Sequence, residues 1–285
     1  MKVAFVGLGV MGFPMAGHLA KAGHDVGVFN RSSAKAERWV GQHGGATAPS
    51  LAAAVAGCEM VALCVGNDDD VRQCVGDILP AMALGGVVVD HTTTSAKIAI
   101  EMAAAAREAD RWFVDAPVSG GQAGAEAGSL TVMAGGEVEA VDRIAPVIGA
   151  YSKAVRRIGG PGAGQKAKMV NQICIAGVVQ GLAEAVHFAG RAGLDTDAVY
   201  AAISQGAAQS WQMDNRWKTM VEGKFEFGFA VDWMRKDLGL VLDEARSNGA
   251  HLALTALVDQ FYSEVQAMGG RRWDTSSLAA RLERE

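Results

Sequence analysis

Runs of one charge sign long enough to draw a charged partner are missing from this 285-residue chain, and cysteine, proline and aromatic residues are scarce, at four Cys, six Pro and 6% Phe, Trp and Tyr. Each scarcity excludes something. Without a basic run, and with a net charge of −5, the surface has no electrostatic reason to attract nucleic acid or an anionic membrane. Cys58, Cys64, Cys74 and Cys174 contain no CxxC pair, which argues for reduced thiols and against a disulfide framework. The six histidines are scattered without an HExxH-like pair, so no metal is expected. No continuous apolar run approaches the ~18 residues of a membrane span, and the N-terminal segment lacks the charged start and cleavage pattern of a signal peptide. A cytoplasmic location is the expectation. What the chain does have is apolar residues, 50% of the total, and 36 glycines. That is material for a sizeable core and two domains.

Three of those glycines stand together near the start. In MKVAFVGLGVMGFPMAGHLAKAGHDVGVFNRS, an apolar strand runs into Gly7, Gly9 and Gly12, a helical pattern with Met15, Leu19 and Ala22 follows, and a second strand covers Asp25 to Phe29. Gly7 permits a tight turn, Gly9 lets the backbone approach a pyrophosphate, and Gly12 lets helix and strand pack closely, with the first helical N–H groups facing the anion. The glycines with Leu8, Val10 and Met11 between them, and Val65 at the end of the run Met60 to Val65, are the expected cofactor contacts. The residue closing the second strand distinguishes dinucleotides, because an acid there bonds a ribose 2′-OH and repels a 2′-phosphate. This chain has Asn30, Arg31, Ser32 and Ser33, an amide, a guanidinium and two hydroxyls suited to a phosphate. The reading is NADP(H) preferred, with NAD(H) possible if Arg31 instead stacks on the adenine.

Alternating apolar runs continue at Met60 to Val65, Val87 to Asp90, Trp112 to Pro117 and Leu130 to Ala134, the one-dimensional signature of a doubly wound, mostly parallel sheet. The breaker cluster Gly159-Gly160-Pro161-Gly162-Ala163-Gly164 then ends the strands. It places a boundary between a dinucleotide-binding domain, residues 1–161, and an all-helical domain, residues 162–285. Gln165 to Ala192 forms one long helical pattern, apolar around most of its circumference, which demands burial on several sides. Further helices are expected at Thr196 to Ser204, Ser210 to Val221, Ala230 to Arg246 and Leu252 to Met268. The fold class is therefore α/β, a Rossmann-type sheet followed by an all-α domain built around a long helix.

On that helix Lys168, Asn171 and Gln172 stand at i, i+3 and i+4, so an amine and two amides share one face, while Lys166 points away. A snorkelling surface lysine is the ordinary alternative for Lys168. The strand end Asp115-Ala116-Pro117-Val118-Ser119-Gly120-Gly121 closes in a hydroxyl and two glycines whose amides can converge on a carboxylate, or makes a plain turn. The run Met234 to Leu238 includes Lys236, a cation placed to approach the nicotinamide end of the cofactor or else part of a solvated face.

Taken in order, GLGVMGFPMAGHL at Gly7 to Leu19, DAPVSGG at Asp115 to Gly121, GAGQKAKMVNQ at Gly162 to Gln172 and RKDLGL at Arg235 to Leu240 resemble the β-hydroxyacid dehydrogenase family, which includes 3-hydroxyisobutyrate dehydrogenases and tartronate semialdehyde reductases. The resemblance spans nearly the whole chain. It implies that Lys168 is the catalytic acid-base group, that Ser119, Gly120 and Gly121 hold a substrate carboxylate, and that Asn171 orients the substrate. Gln172 stands where many relatives have a second asparagine, with a longer arm for the same substrate region. Thr93, in Asp90-His91-Thr92-Thr93-Thr94, matches a nicotinamide-ribose threonine, and Lys236 beside Asp237 is expected near the cofactor. The family also implies a homodimer or homotetramer built through the helical domains. The expected chemistry is reversible hydride transfer between a short β-hydroxy acid and its semialdehyde, for which a lysine needs its pKa depressed toward neutrality. Two other readings stand beside it. An imine reductase-like enzyme needs no carboxylate loop, and a non-catalytic dinucleotide-binding scaffold needs few of the polar residues.

Overall fold

Apolar runs flanked by turn residues pair as strands, and the amphipathic stretches between them fold back as helices. The computed structural model, which describes residues 1–283, contains in chain order β1 (Lys2–Val6), α1 (Gly12–Lys21), β2 (Asp25–Phe29), α2 (Ser33–His43), β3 (Ala46–Thr47), α3 (Leu51–Val55), β4 (Met60–Leu63), α4 (Asp68–Ile78), β5 (Val87–Asp90), α5 (Ala96–Glu108), β6 (Trp112–Asp115), β7 (Val118–Ser119), α6 (Gly121–Glu126), β8 (Leu130–Gly135), α7 (Val138–Ile148) and β9 (Ser152–Gly159). The strands lie in the order β3-β2-β1-β4-β5-β6-β8-β7, with β9 paired to β8. Pairing is parallel from β3 to β6 and antiparallel where β6 and β7 meet β8. This is the doubly wound Rossmann-type sheet. Its order reverses at β1, between β2 and β4, where such sheets open a ligand crevice at their carboxyl ends.

β4 and the three valines of β5 are apolar on both faces because both are covered. One face packs Phe5, Leu19, Trp39 and Tyr151, and the other Val61, Ile78, Met102 and Phe113. The sequence pattern does not reveal β9. Its residues Lys153, Arg156 and Arg157 leave it largely exposed, as suits a charged sheet-edge strand.

Two compact units divide the chain, Met1–Lys168 and the part from Met169 onward. α8 (Ala163–Arg191) begins in the first and continues into the second, followed there by α9 (Thr196–Ile203), α10 (Trp211–Val221), α11 (Val231–Asn248), α12 (Ala253–Ala267) and α13 (Leu278–Leu282). The second unit is helical around a core containing Val179, Leu182, Trp217, Met234, Leu238 and Tyr262. By length and composition α8 suffices to cross a membrane, but Asn171, Gln172, Gln180 and Glu184 interrupt its apolar stretch, and Ala176, Val179 and Ala183 pack into that core. The expectation of burial on several sides is corrected on one of them. Val170, Cys174, Val178 and Phe188 form a solvent-facing stripe at helical spacing.

A histidine lies inside the first core. His91 follows β5, its Nδ1 2.7 Å from the Ala116 carbonyl and its Nε2 2.8 Å from the Tyr151 hydroxyl. A carbonyl only accepts, so Nδ1–H donates to it, and in the neutral ring Nε2 accepts from the Tyr151 hydroxyl. Burial favours that neutral form, lowering the ring's pKa to about 4. Below the ordinary value of 6.5 the unfolded chain binds a proton that the core refuses. Stability is therefore lost as pH falls from about 6.5 toward 4. We expect His91→Gln to be less stable than the wild type at pH 7, with the gap closing by about 2 kcal/mol at pH 5. Urea midpoints at the two pH values measure it; a constant gap would show that His91 titrates normally.

Candidate active site

The glycine-rich turn carries its physical reasons in its geometry. Gly7 has φ +93°, and a Cβ there would lie 2.1 Å from the Cys64 carbonyl oxygen; one on Gly12 would lie 1.9 Å from the Gly7 oxygen and 2.9 Å from the Phe5 ring. Gly9 is different. A Cβ on it would meet nothing within 4 Å, so open space lies over this exposed backbone, a cradle of the kind a pyrophosphate fills. The N-cap of α1, Met11, supplies no side-chain acceptor, and the first turn holds no acid. The positive end of the helix is thus left for an external anion. These residues fit a dinucleotide.

Around the turn, each predicted cofactor residue has a definite place. Leu8 is buried, and its amide donates to Asn30 Oδ1 at 2.9 Å, while Asn30 Nδ2 donates to the Ser32 carbonyl at 3.1 Å. Asn30 therefore fastens the segment after β2 to the glycine turn. Val10 is exposed and Met11 half-buried at the mouth of the turn. Arg31 reaches solvent and pairs with Asp70 at 3.2 Å, and Ser32 is the N-cap of α2. The Val65 amide donates to Thr92 Oγ1 at 3.0 Å. Thr93 is half-buried between two residues that Gln165 grips, since Gln165 Nε2 donates to the Thr92 carbonyl at 2.7 Å and its Oε1 accepts from the Thr94 amide at 3.1 Å.

Gln165 is itself placed by a buried acid. β6 ends in Asp115, whose Oδ1 accepts from the Gly162 amide at 2.8 Å and whose Oδ2 accepts from the Gln165 amide at 2.9 Å. One carboxylate thereby closes the amino end of α8. Burial pushes its pKa up to about 6, and amide donors that include Gly162 and Gln165 act against the rise. One turn into the helix, Lys168 is only 9% exposed, and its Nζ donates to the Val118 carbonyl at 2.9 Å. The surface-lysine alternative is excluded; Lys166 is the exposed one. Ser119 follows Val118 directly, then Gly120 and Gly121 at positive φ, and a Cβ on Gly121 would meet open space. The first unit thus gathers Lys168 and the Ser119–Gly121 segment.

In the second unit the remaining polar residues form a chain. Asn171 Nδ2 donates to Gln172 Oε1 at 2.8 Å, and Gln172 Nε2 donates to Asp237 Oδ2 at 2.7 Å and contacts the Met234 sulfur at 3.6 Å. Lys236 Nζ lies 3.2 Å from Asp237 Oδ1 and 5.9 Å from the centre of the Trp233 ring. Gln172 is buried with both ends of its amide engaged, linking Asn171 to Asp237. Sequence reasoning missed the positioning contacts of Asp115, Gln165 and His91 and the ion pair of Asp70 with Arg31. The available signals were a carboxylate opening the DAPVSGG run and an amide inside a glycine cluster.

Two family models cover the chain. Residues 2–160 match the NAD binding domain of 6-phosphogluconate dehydrogenase, and residues 162–282 match the NAD-binding domain of NADP-dependent 3-hydroxyisobutyrate dehydrogenase. An uncharacterized oxidoreductase of Shewanella frigidimarina is 63% identical over 99% of this chain and 98% of its own. A probable 3-hydroxyisobutyrate dehydrogenase-like protein of Arabidopsis thaliana is 39% identical over 99% of this chain and 85% of its own. Among solved structures, the Mycobacterium tuberculosis 3-hydroxyisobutyrate dehydrogenase with L-serine superposes with a TM-score of 0.91 at 31% identity, over 99% of each chain.

Asp115→Asn presents an N–H pair where two amides need an acceptor. We expect unfolding free energy to drop by roughly 1–3 kcal/mol at pH 7, read from urea denaturation; a drop within ~0.5 kcal/mol, the range of an ordinary surface change, would show the cap to be incidental.

Proposed function

Because the chain belongs to the β-hydroxyacid dehydrogenase family, NAD(P)-dependent oxidoreductases acting on CH–OH groups, we propose that it interconverts a short β-hydroxy acid and its semialdehyde, with Lys168 as general acid and base and NADP(H) preferred. The observation that carries this reading is the buried Lys168 amine, held by the Val118 carbonyl beside the open Ser119–Gly121 turn. When bound, the nicotinamide gives or takes the hydride. Every other part of the task falls to side chains. Lys168 Nζ gives a proton to the carbonyl oxygen in reduction and takes it from the hydroxyl in oxidation, and the Val118 carbonyl aims its hydrogens. The Ser119 hydroxyl and the Gly120 and Gly121 amides hold the substrate carboxylate, while Asn171, steadied by Gln172, orients the substrate. Thr93 would border the nicotinamide ribose, with Gln165 fixing the Thr92–Thr94 turn, while Val65 would contact the cofactor and Lys236 would approach its nicotinamide end.

Arg31, Ser32 and the absence of an acid closing β2 support the preference for a 2′-phosphate. The exposed apolar stripe on α8 supports assembly into a homodimer or homotetramer, and the acidic composition disfavours a nucleic-acid or anionic-membrane partner.

The test is NADPH and NADH oxidation against methylmalonate, tartronate and succinic semialdehydes and glyoxylate, with a cyclic imine alongside. We expect turnover of a semialdehyde acid, faster with NADPH, that Lys168→Ala cuts by about a hundredfold or more while NADPH binding persists. Imine turnover indifferent to Lys168 would replace this reading with a reductase of imines, and cofactor binding without turnover with a scaffold.

A further inference from the structure

Arg31 and Asp70 come from separate strand ends. β2 and β4 flank β1 in parallel, so their carboxyl ends stand on either side of the glycine turn that leaves β1. Arg31 lies just beyond β2, Asp70 in the first turn of α4 beyond β4, and their 3.2 Å ion pair bridges that turn. The two partners are held unequally. The Arg31 side chain is 84% exposed and that of Asp70 only 19%. Asp70 Oδ2 also accepts from the Gly66 amide at 3.1 Å, and its own amide donates to Asn67 Oδ1 at 2.9 Å, so the carboxylate is fixed by the cap of α4 while the guanidinium lies open to solvent.

We propose that Asp70 is a selectivity-determining residue, whose fixed carboxylate competes with the 2′-phosphate of NADP(H) for Arg31 and so moderates the preference over NAD(H). This rests on the reading that Arg31 receives that phosphate. A dianionic phosphate shares the Arg31 guanidinium with Asp70 or draws it away, and in either case lies near an anion that the helix cap holds in place. The non-phosphorylated dinucleotide makes no such demand.

Binding to the purified full chain, measured by calorimetric titration of NADPH and NADH without substrate, tests the proposal through Asp70→Asn, Arg31→Ala and the double variant. Asn keeps an acceptor for the Gly66 amide and removes the charge. We expect Asp70→Asn to tighten NADPH by about twofold to tenfold at low ionic strength, raise the NADPH-to-NADH affinity ratio correspondingly, and lose part of this gain in 0.5 M salt, where charges are screened within ~4 Å. Arg31→Ala should weaken NADPH by about tenfold or more relative to NADH, and on that background Asp70→Asn should recover less than it gains alone. Asp70→Ser, with a hydroxyl acceptor, should repeat the direction if the Asn variant folds poorly. If Arg31→Ala selectively weakens NADPH but neither Asp70 variant tightens it, Asp70 has no such role and the NADP reading stands. If Arg31→Ala leaves the affinity ratio unchanged, that reading falls, and this proposal with it.

Discussion

The carboxylate of Asp115, sealed from solvent and closed on the first amides of α8, is the contact from which the other placements in the first unit follow. It joins the end of β6 to the start of a helix fifty residues later in the chain. With the helix start fixed, Gln165 reaches the Thr92–Thr94 turn and Lys168 reaches Val118. The arrangement is costly in isolation, since a buried carboxylate loses its hydration, and the amides it collects compensate for that loss. An uncapped helix end at the same depth would leave donors unsatisfied instead.

His91 opposes Asp115 in its response to acid. Burial raises the pKa of the acid and lowers that of the base, so as pH falls from 6 toward 4 Asp115 stabilises the folded state and His91 destabilises it. The two groups lie on segments that also position the Thr92–Thr94 and Val118–Gly121 turns, and their opposed slopes partly cancel there. Neither residue needs to touch a ligand to matter to the site.

How much of this could be read from the amino-acid string depended on the range of the interaction. Glycine spacing, the helical face shared by Lys168, Asn171 and Gln172, and the central strands are local patterns, and the structure reproduces them. Lys168 is buried because Val118 comes to meet it, a contact across fifty residues that spacing cannot report. Gln165 looked like one more polar residue after a glycine cluster, because its two partners belong to a distant turn. β9 carried too many cations to show the alternation of a strand, since an edge leaves one side wet. Arg31 shows in sequence what it offers a phosphate, whereas Asp70 is hidden among the three aspartates that open α4 and look alike there.

The glycines of the turn after β1 also separate two kinds of mutational intolerance. At Gly7 and Gly12 a methyl group collides with backbone, so an alanine disturbs the chain before any ligand arrives. At Gly9 the same methyl enters empty space and leaves the fold untouched. A library screened for abundance therefore retains alanine at Gly9 and purges it at the other two, whereas one screened for dinucleotide capture purges all three. Laid over one another, the two maps outline the volume the cofactor occupies, drawn by the organism's tolerance rather than by density.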